Sequence, residues 1–277
     1  MNNKIYIPAT KPEDWKRFLA KPTHWGYDHS AMSLAYCWQE ADGCPATVSE
    51  VFNKSEYKLF HDIEILLAIP EHQVPLPPDR TSPSQNDLFV LAKSADQLIS
   101  ITVDGKSLES FGKLVSVWKT TPGKEKRLIF LCNVLGLQQS QVLDIGYQLI
   151  HRTVSALLEA KRFTATNALM LVHSFKENAE SLKDFQKFAS LFGIEAEPNA
   201  INKADTLGGI DLYLGWVNDH NTYGFETKGK ESIKGIVTAR KCEHCGHHEL
   251  GITTESDEYV SLKPGMKIEI RASDEEI

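Results

Sequence analysis

The sequence predicts an α/β (α+β) fold in which a mixed central sheet is flanked by helices. The first observation is that apolar segments of strand length alternate with amphipathic helical segments after residue 86. The second is their order, which is strand, strand, helix, strand, helix, strand, helix, strand. Such an order favours one mixed sheet with helices packed against it. The third is a set of helical patterns before residue 56, which adds N-terminal helices to this core.

In the N-terminal part, the segment 29–41 has apolar residues near helical spacing and predicts a helix, which the sequence DGCPAT then ends. A second short helix is expected from Thr47. The segment 62–76 contains both helical and strand features, and its pattern does not show where a helix would end and a strand begin. Residues 75–86 are rich in proline and serine and predict a loop.

The later elements follow from shorter patterns. Two strands joined by a polar turn are expected at 88–92 and 98–103, which together form a hairpin. Further strands are expected at 127–136, 167–175 and 211–217. Helices are expected at 107–118, 146–163 and 181–193.

The composition excludes several classes of protein. The 277 residues include 42% hydrophobic and 24% charged residues, which is ordinary for a globular protein with a core. No apolar run approaches the roughly 18 residues of a membrane helix, and the N-terminus lacks the apolar region of a secretory signal, so a cytoplasmic protein is expected. The net charge of −7 disfavours tight nonspecific DNA binding, although it leaves room for a local basic cleft.

One expected strand has a polar face whose residues could form a catalytic site. Side chains alternate between the two faces of a strand. In SITVDGK, the side chains of Ser100, Thr102, Asp104 and Lys106 therefore share one face. A carboxylate and a lysine at this spacing can hold a divalent cation and orient an attacking water. The plainer alternative is that Asp104 and Gly105 form an ordinary turn.

Further acidic residues would complete such a site. Asp87 stands at the head of the preceding strand and is adjacent to Asp104 in a hairpin. Glu109 is expected in the first turn of the following helix, where it can bind the metal or only interact favourably with the helix dipole. Magnesium usually takes one or two carboxylates together with substrate phosphates, so Asp87 and Asp104 suffice.

This arrangement resembles the restriction-endonuclease-like PD-(D/E)XK superfamily. In that superfamily a helical acid is followed by an acid on one strand, by (D/E)-x-K on the next strand, and then by a crossover helix and a further strand. Glu64 stands where the helical acid is expected. Asp87 matches the strand acid, with Asn86 in place of the usual proline, and Asp104-Gly105-Lys106 matches (D/E)-x-K.

More closely, the chain resembles an uncharacterised bacterial domain family assigned to this superfamily. The likeness spans roughly residues 10–218, and the passages that carry it are KPTHWGYDHSAMSLAYCW, LLAIPEHQVPLP, SQNDLFVLA, VDGKSLESF, YQLIHRTVSALLEA and LYLGWV. The family motif more often has Glu where Asp104 stands. The superfamily also contains catalytically inactive members.

The resemblance implies hydrolysis of phosphodiester bonds in a nucleic acid, DNA more than RNA, with Mg²⁺ or Mn²⁺ as the cofactor. Asp87 and Asp104 would bind the metal, and Lys106 would orient the attacking water and stabilise charge on the phosphate. Glu64 or Glu109 would complete the site. The alternative is a catalytically inactive protein of the same fold that binds or scaffolds a partner.

The helix at 146–163 supplies further candidates. Many nucleases of the superfamily place a polar residue on this helix facing the site, and Gln148, His151 and Arg152 match. The basic residues that could hold a nucleic-acid backbone are Lys119, Lys124, Lys126 and Arg127 in one segment and Arg152, Lys161 and Arg162 in another. A solvated surface is the plainer explanation for these charges, and a homodimer is left open.

The tail carries a second candidate metal site. Cys242-x-x-Cys245 is followed by Gly246, His247 and His248, and two thiolates at this spacing form a zinc knuckle. The two cysteines with His247 or His248 supply three ligands for Zn²⁺, and the fourth is open. A redox role is disfavoured because no thioredoxin-like βαβ pattern surrounds the pair.

The chain is therefore expected to have two parts. A nuclease-like domain at 1–218 is followed by a polar linker at 219–234 and a zinc-ribbon-like β unit at 235–277. The other cysteines, Cys37, Cys44 and Cys132, have no recognisable spacing and are expected to be reduced core residues.

Overall fold

A computed structural model of the chain describes residues 9–20, 22–26, 29–41, 43–78, 82–219, 235–241, 248–254 and 259–261. The chain divides into two compact units, residues 1–225 and 226–277. In the part of the chain that the structure describes, no helix is long and apolar enough to cross a membrane.

The first unit contains six strands among its described residues. They are β1 (Glu64–Val74), β2 (Ser84–Ser94), β3 (Gln97–Lys106), β4 (Asn167–Ser174), β5 (Ala200–Leu207) and β6 (Ile210–Asn218). The α-helices are α1 (Ser30–Glu40), α2 (Ala46–Lys54), α3 (Val115–Trp118), α4 (Pro122–Leu135), α5 (Tyr147–Arg162) and α6 (Ala179–Ser190). Short 3-10 helices occur at Pro12–Phe18, Pro22–His24, Lys58–Phe60 and Gln139–Val142.

The six strands form one mixed sheet in the order β1-β2-β3-β4-β6-β5. β1, β2 and β3 are antiparallel neighbours. β4 pairs parallel with β3 and with β6, and β5 closes the sheet antiparallel to β6. Parallel neighbours need a crossover, and the segment that contains α3, α4 and α5 supplies it between β3 and β4.

Two apolar cores cover the two faces of this sheet. Along β4, Met170 and Val172 point to the core formed with α4, α5 and α6, whereas Leu169 and Leu171 point to the core formed with α1 and α2. Every residue of β4 is buried, as expected for a central parallel strand. The prediction of a mixed sheet flanked by helices is therefore confirmed.

Several predicted elements are confirmed individually. These are the helices at 29–41, 146–163 and 181–193, the helix that starts near Thr47, the hairpin of β2 and β3, and the strands at 167–175 and 211–217. The segment 62–76, which the pattern did not divide, is mainly strand β1. β5 was not anticipated, because only Ile201 among its residues is fully buried and its pattern is weakly apolar.

The strand predicted at 127–136 is wrong, since these residues belong to α4. A short apolar run fits a buried helix as well as a buried strand. The end signals decide for the helix: the Thr121 side chain accepts a hydrogen bond from Lys124 N, Pro122 follows it, and Gly136 ends the helix at a positive φ of 68°.

The helix predicted at 107–118 is also wrong, because only α3 at its end is helical. Leu108, expected on the apolar side, is 58% exposed. Gly112 has a φ of 74°, which interrupts any helix through this segment. Residues 107–114 instead form a loop that leads from β3 into α3.

The second unit contains β7 (Gly235–Lys241), β8 (His248–Thr254) and β9 (Tyr259–Ser261), paired antiparallel in this order. Of the predicted zinc ligands, Cys242, Cys245 and His247 lie outside the described residues. His248 starts β8, and its side chain is likewise outside the description. Residues 220–234 of the predicted linker are not described.

Gly146 is expected to be essential for the junction between the 107–114 loop and α5. A Cβ atom at Gly146 would lie 2.7 Å from Phe111 Cβ and 2.9 Å from Phe111 O, both in the buried core. We expect Gly146→Ala to destabilise the protein by about 1–3 kcal/mol in urea unfolding, because such overpacking forces the backbone to move.

The matched control for this prediction is Gly123→Ala. A Cβ atom at Gly123 meets nothing within 4 Å and Gly123 lies in the first turn of α4, so this substitution should leave the free energy of unfolding unchanged or raise it by up to about 1 kcal/mol. Equal stability of the two variants would contradict the argument.

Candidate functional site

A cavity of about 490 Å³ lies at the end of β3 where α5 begins. Its walls come from β1, β2 and β3, from the start of α1, and from α5. The charged residues and histidines that line it are His24, His29, Glu71, Asp87, Asp104, Lys106, Glu109, His151 and Arg152. Acidic and basic side chains thus meet in one concave site.

Asp104 and Lys106 lie on the same face of β3, as the alternation predicts, and this face is covered by α5. The Ser100 hydroxyl donates to the Ala156 carbonyl at 2.9 Å, and the Thr102 hydroxyl donates to the Arg152 carbonyl at 3.2 Å. Asp104 and Lys106 are 1% and 3% exposed. Lys106 Nζ lies 2.9 Å from Asp104 Oδ2, so the two side chains form an ion pair within the site.

Asp87 reaches the same point from the neighbouring strand β2. The backbone N–H of Gly105 donates to Asp87 Oδ2 at 2.9 Å. This bond holds one carboxylate oxygen against the D-x-K segment of β3. The other oxygen, Oδ1, lies 2.9 Å from Arg152 Nη2. The register of the hairpin therefore brings the predicted acids together.

Arg152 joins the two aspartates. Its Nη2 atom lies 2.9 Å from Asp87 Oδ1 and 3.3 Å from Asp104 Oδ1. Burial disfavours the ionised form of Asp104, but the charges of Arg152 and Lys106 outweigh it and hold the pKa of Asp104 below its usual value. For Asp87, burial dominates over the attraction of Arg152, and its pKa is raised.

Glu71 on β1 is the acidic residue that sequence reasoning missed. It flanks Asp87 across the β1–β2 pairing and has a positive φ of 51°. Burial, and then the charge of Asp87, raise the pKa of Glu71 to about 8, so its carboxyl group is protonated at neutral pH. The side-chain amide of Gln85 donates to Glu71 Oε2. Reading 62–76 as a strand of the hairpin would have revealed Glu71 opposite Asp87.

The structure does not bring Glu64 into the site. It is exposed at the first position of β1, opposite Lys93, and is not part of a helix. An extended strand rises about 3.3 Å per residue, which places Glu64 roughly 20 Å from Glu71. The helical placement expected for Glu64 is therefore wrong.

Glu109 lines the cavity, but from a loop rather than from a helical turn. Its Oε1 atom accepts hydrogen bonds from Ser30 N at 2.6 Å and Ser30 Oγ at 3.0 Å. Its Oε2 atom accepts from Ser107 N at 2.6 Å. Glu109 therefore ties the start of α1 to the loop after β3, which is a positioning contact.

Besides Arg152, the two other predicted residues of α5 lie at the site. Gln148 Oε1 accepts a hydrogen bond from Lys106 Nζ at 3.2 Å, and the ammonium group also lies 4.6 Å from the centre of the Phe111 ring. His151 Nδ1 lies 2.7 Å from Ser84 Oγ. Burial lowers the pKa of His151 to about 3, so its ring is neutral at pH 7.

The predicted basic residues do not form one patch. Arg127 is buried and donates to the carbonyls of Ser82 and Leu76. Lys119 is paired with Glu125 at 3.6 Å. The residues that are exposed or half-buried on the surface are Lys119, Lys124, Lys126, Lys161 and Arg162.

A buried cluster on the α1 side of the sheet also brings possible metal ligands together. Ligand atoms of Cys37, His173 and Asp219 lie within 4.8 Å of one another. Trp38 Nε1 donates to His173 Nδ1 at 3.2 Å, so the proton of the neutral ring lies on Nε2, which is 3.4 Å from Asp219 Oδ2. A metal at Nε2 would require the ring proton on Nδ1 and would break the bond from Trp38. The geometry therefore fits a hydrogen-bonded cluster better than a metal centre.

The raised pKa of Glu71 predicts a pH-dependent stability. A carboxyl group whose pKa rises from 4.5 to about 8 on folding contributes stability that is full below about pH 4.5 and is lost as the pH rises through about 8. We expect Glu71→Gln to have a melting temperature at least about 2–4 °C above that of the wild type near pH 9, for a difference of at least about 1 kcal/mol, and we expect this advantage to be much smaller near pH 5.

Thermal unfolding followed by circular dichroism between pH 5 and pH 9 checks this expectation. Glu64→Gln is the control, because Glu64 is exposed at the start of the same strand. Parallel pH profiles for the wild type and Glu71→Gln would show that Glu71 titrates normally.

Comparison with known proteins identifies one family. No curated protein and no solved structure matches the chain. The family model described as "Domain of unknown function (DUF6946)" matches residues 8–221, which is most of the 277 residues. The chain therefore belongs to the DUF6946 family.

Proposed function

We propose that the protein is a metal-dependent nuclease that hydrolyses phosphodiester bonds at the cavity between β3 and α5. The observation that carries the proposal is that Glu71, Asp87, Asp104 and Lys106 line one concave site at the end of adjacent strands. Carboxylates that converge beside a lysine are the groups that metal-assisted phosphate chemistry requires.

The order of the elements supports a restriction-endonuclease-like fold. β1, β2 and β3 form an antiparallel meander, α5 crosses over, and β4 returns parallel to β3. The acid Asp87 is on β2 and the D-x-K segment is at the end of β3. This is the order that the resemblance to the PD-(D/E)XK superfamily implies. In this proposal Glu71 on β1, rather than Glu64, is the additional acidic residue that completes the site.

The residues present fit a divalent cation in their donor chemistry. Asp87 and Asp104 offer hard carboxylate oxygens, which Mg²⁺ and Mn²⁺ prefer, and Glu71 would offer a further one when it is ionised. No hydrogen bond satisfies either oxygen of Asp104, which is buried and held by ion pairs alone. A bound cation would supply charge stabilisation at the phosphate and a more acidic water. Asp87 and Asp104 would hold it, with Glu71 beside them.

The chain's own residues set up the rest of the site. Asp104 and Gln148 hold the Lys106 ammonium group at 2.9 and 3.2 Å, and the Phe111 ring packs against it. Lys106 is therefore positioned to orient the attacking water and to stabilise negative charge on the phosphate. Glu109 acts by holding the loop after β3 rather than by contact with the phosphate.

One observation favours the second candidate function, an inactive protein of the same fold that binds a partner. Arg152 lies between Asp87 and Asp104 and neutralises both carboxylates where a cation would bind. For nuclease activity, the metal must compete with this guanidinium group for the two carboxylates. In the alternative, Arg152 replaces the metal permanently and the ion pairs are structural.

Cleavage assays distinguish the two candidates. Single- and double-stranded DNA and RNA are each tested, we expect at least one of them to be cut in Mg²⁺ or Mn²⁺, and we expect Asp104→Asn and Lys106→Gln each to lower the rate by at least about 100-fold. Both variants remove a transition-state or metal contact. Glu64→Gln is the matched acidic control and should cut like the wild type, since Glu64 lies outside the cavity.

Equal cleavage by the wild type and both site variants would assign the activity to another site. A folded wild type that cuts none of these substrates would favour the binding protein. Circular dichroism spectra of each variant separate lost chemistry from lost folding.

We also propose Zn²⁺ in the second unit, bound by Cys242, Cys245 and His247 or His248. The support is the spacing of the two thiolates and the small antiparallel sheet of β7, β8 and β9 on either side of them. Small units of this size often need a structural metal.

Elemental analysis of the purified protein tests the zinc proposal. We expect about one zinc per chain in the wild type and in the control Cys44→Ser, and none in Cys242→Ser/Cys245→Ser. Zinc that persists in the double variant would place the metal elsewhere.

A further inference from the structure

A second cavity of about 360 Å³ adjoins the acidic one. Pro83 and His151 line both cavities, so the two are neighbours that share a wall. The remaining walls of the second cavity come from the β1–β2 connection, from α3 with the start of α4, and from the start of α5. A volume of this size is within the range of small-molecule sites, about 300–1,000 Å³.

The charge of this cavity is opposite to that of the whole protein. Lys124 and Arg127 line it, and none of its described lining residues carries a carboxylate. The acidic cavity beside it has four such residues, and the chain as a whole has a net charge of −7. A local basic site in an acidic protein favours an anionic ligand.

The cavity also has an aromatic wall. The rings of Trp118 and Tyr147 stack with their centres 3.7 Å apart and an angle of 13° between their planes. Lys124 Nζ lies 5.5 Å from the centre of the Trp118 ring, and Tyr147 is followed along the wall by His151 at 4.7 Å. Aromatic rings beside a lysine are the combination that binds a base together with its phosphate.

We propose that the second cavity binds the nucleotide next to the phosphodiester bond that reaches Asp87 and Asp104. The base would pack against the Trp118–Tyr147 wall, and the phosphate would contact Lys124. Arg127 adds positive charge while it holds the wall through the Ser82 carbonyl at 2.7 Å.

The proposal names a substrate class and rests on the proposed nuclease function. A base can pack against an aromatic side chain only when it has left the stack of a duplex. The substrate is therefore single-stranded nucleic acid or an unpaired end or loop. A continuous duplex cannot place a base in this cavity.

Binding without cleavage provides the test. Fluorescence anisotropy is measured with fluorescein-labelled oligothymidylate of ten nucleotides in buffer without Mg²⁺ or Mn²⁺ and without chelator, so that metal-dependent cutting is absent and zinc is retained, and with a duplex of the same length. We expect the single strand to bind more tightly than the duplex. Trp118→Leu should weaken its binding by about tenfold, as for the loss of one stacked base.

Lys124→Gln tests the phosphate contact and leaves the aromatic wall in place. It should weaken binding several-fold and reduce the slope of log K against log salt by about one. Lys126→Gln is the matched control, because Lys126 lies on the same helix, is exposed, and does not line the cavity. It should change neither the affinity nor the salt slope beyond a general charge effect.

Three results would overturn the proposal. The first is that neither Trp118→Leu nor Lys124→Gln weakens binding of the single strand. The second is that duplex and single strand bind equally tightly. The third is that the folded wild type binds neither probe. Trp118 packs at the edge of the core and Lys124 is half-buried, so a melting curve is recorded for both variants. Binding at this cavity without any cleavage in Mg²⁺ would retain the subsite and reject the nuclease.

Discussion

The rest of this structure depends on the burial of two opposite charges, Asp104 and Lys106, at the end of a central strand. A buried charge without a partner is strongly unfavourable, by several kcal/mol. Lys106 Nζ lies 2.9 Å from Asp104 Oδ2, and Arg152 forms further ion pairs with Asp104 and Asp87. These pairs can form only where β2, β3 and the first turns of α5 meet. The ion pairs of the site and the packing of α5 on the sheet therefore depend on each other.

The same requirement organises the segments around the site. The polar face of β3 is compatible with burial because the Ser100 and Thr102 hydroxyl groups donate to carbonyls of α5. At the end of the strand, Glu109 connects the following loop to Ser30 at the start of α1. Helices from both sides of the sheet thus converge on the end of β3. A rigid position for Lys106 follows from this convergence.

Much of the candidate site could be predicted from sequence because its residues depend on local rules. Strand alternation places Asp104 and Lys106 on one face, and a short hairpin brings Asp87 beside them. Glu71 could not be found in this way, because its position depends on the pairing of β1 with β2 and on a local backbone irregularity. The helix α4 was missed for a related reason, since a short apolar run does not reveal its period without the cap at Thr121.

The charges of the site also bear on how a metal and a substrate would enter it. Asp87 and Asp104 are paired with the two cations Lys106 and Arg152, and Glu109 adds a further carboxylate at the wall of the same cavity. A divalent cation alone would add two positive charges to these buried ion pairs, which is unfavourable. A phosphodiester supplies a negative charge that offsets part of this excess. Under the proposed function, metal and substrate therefore favour each other's binding. Without substrate, Arg152 remains the more favourable partner of the two aspartates.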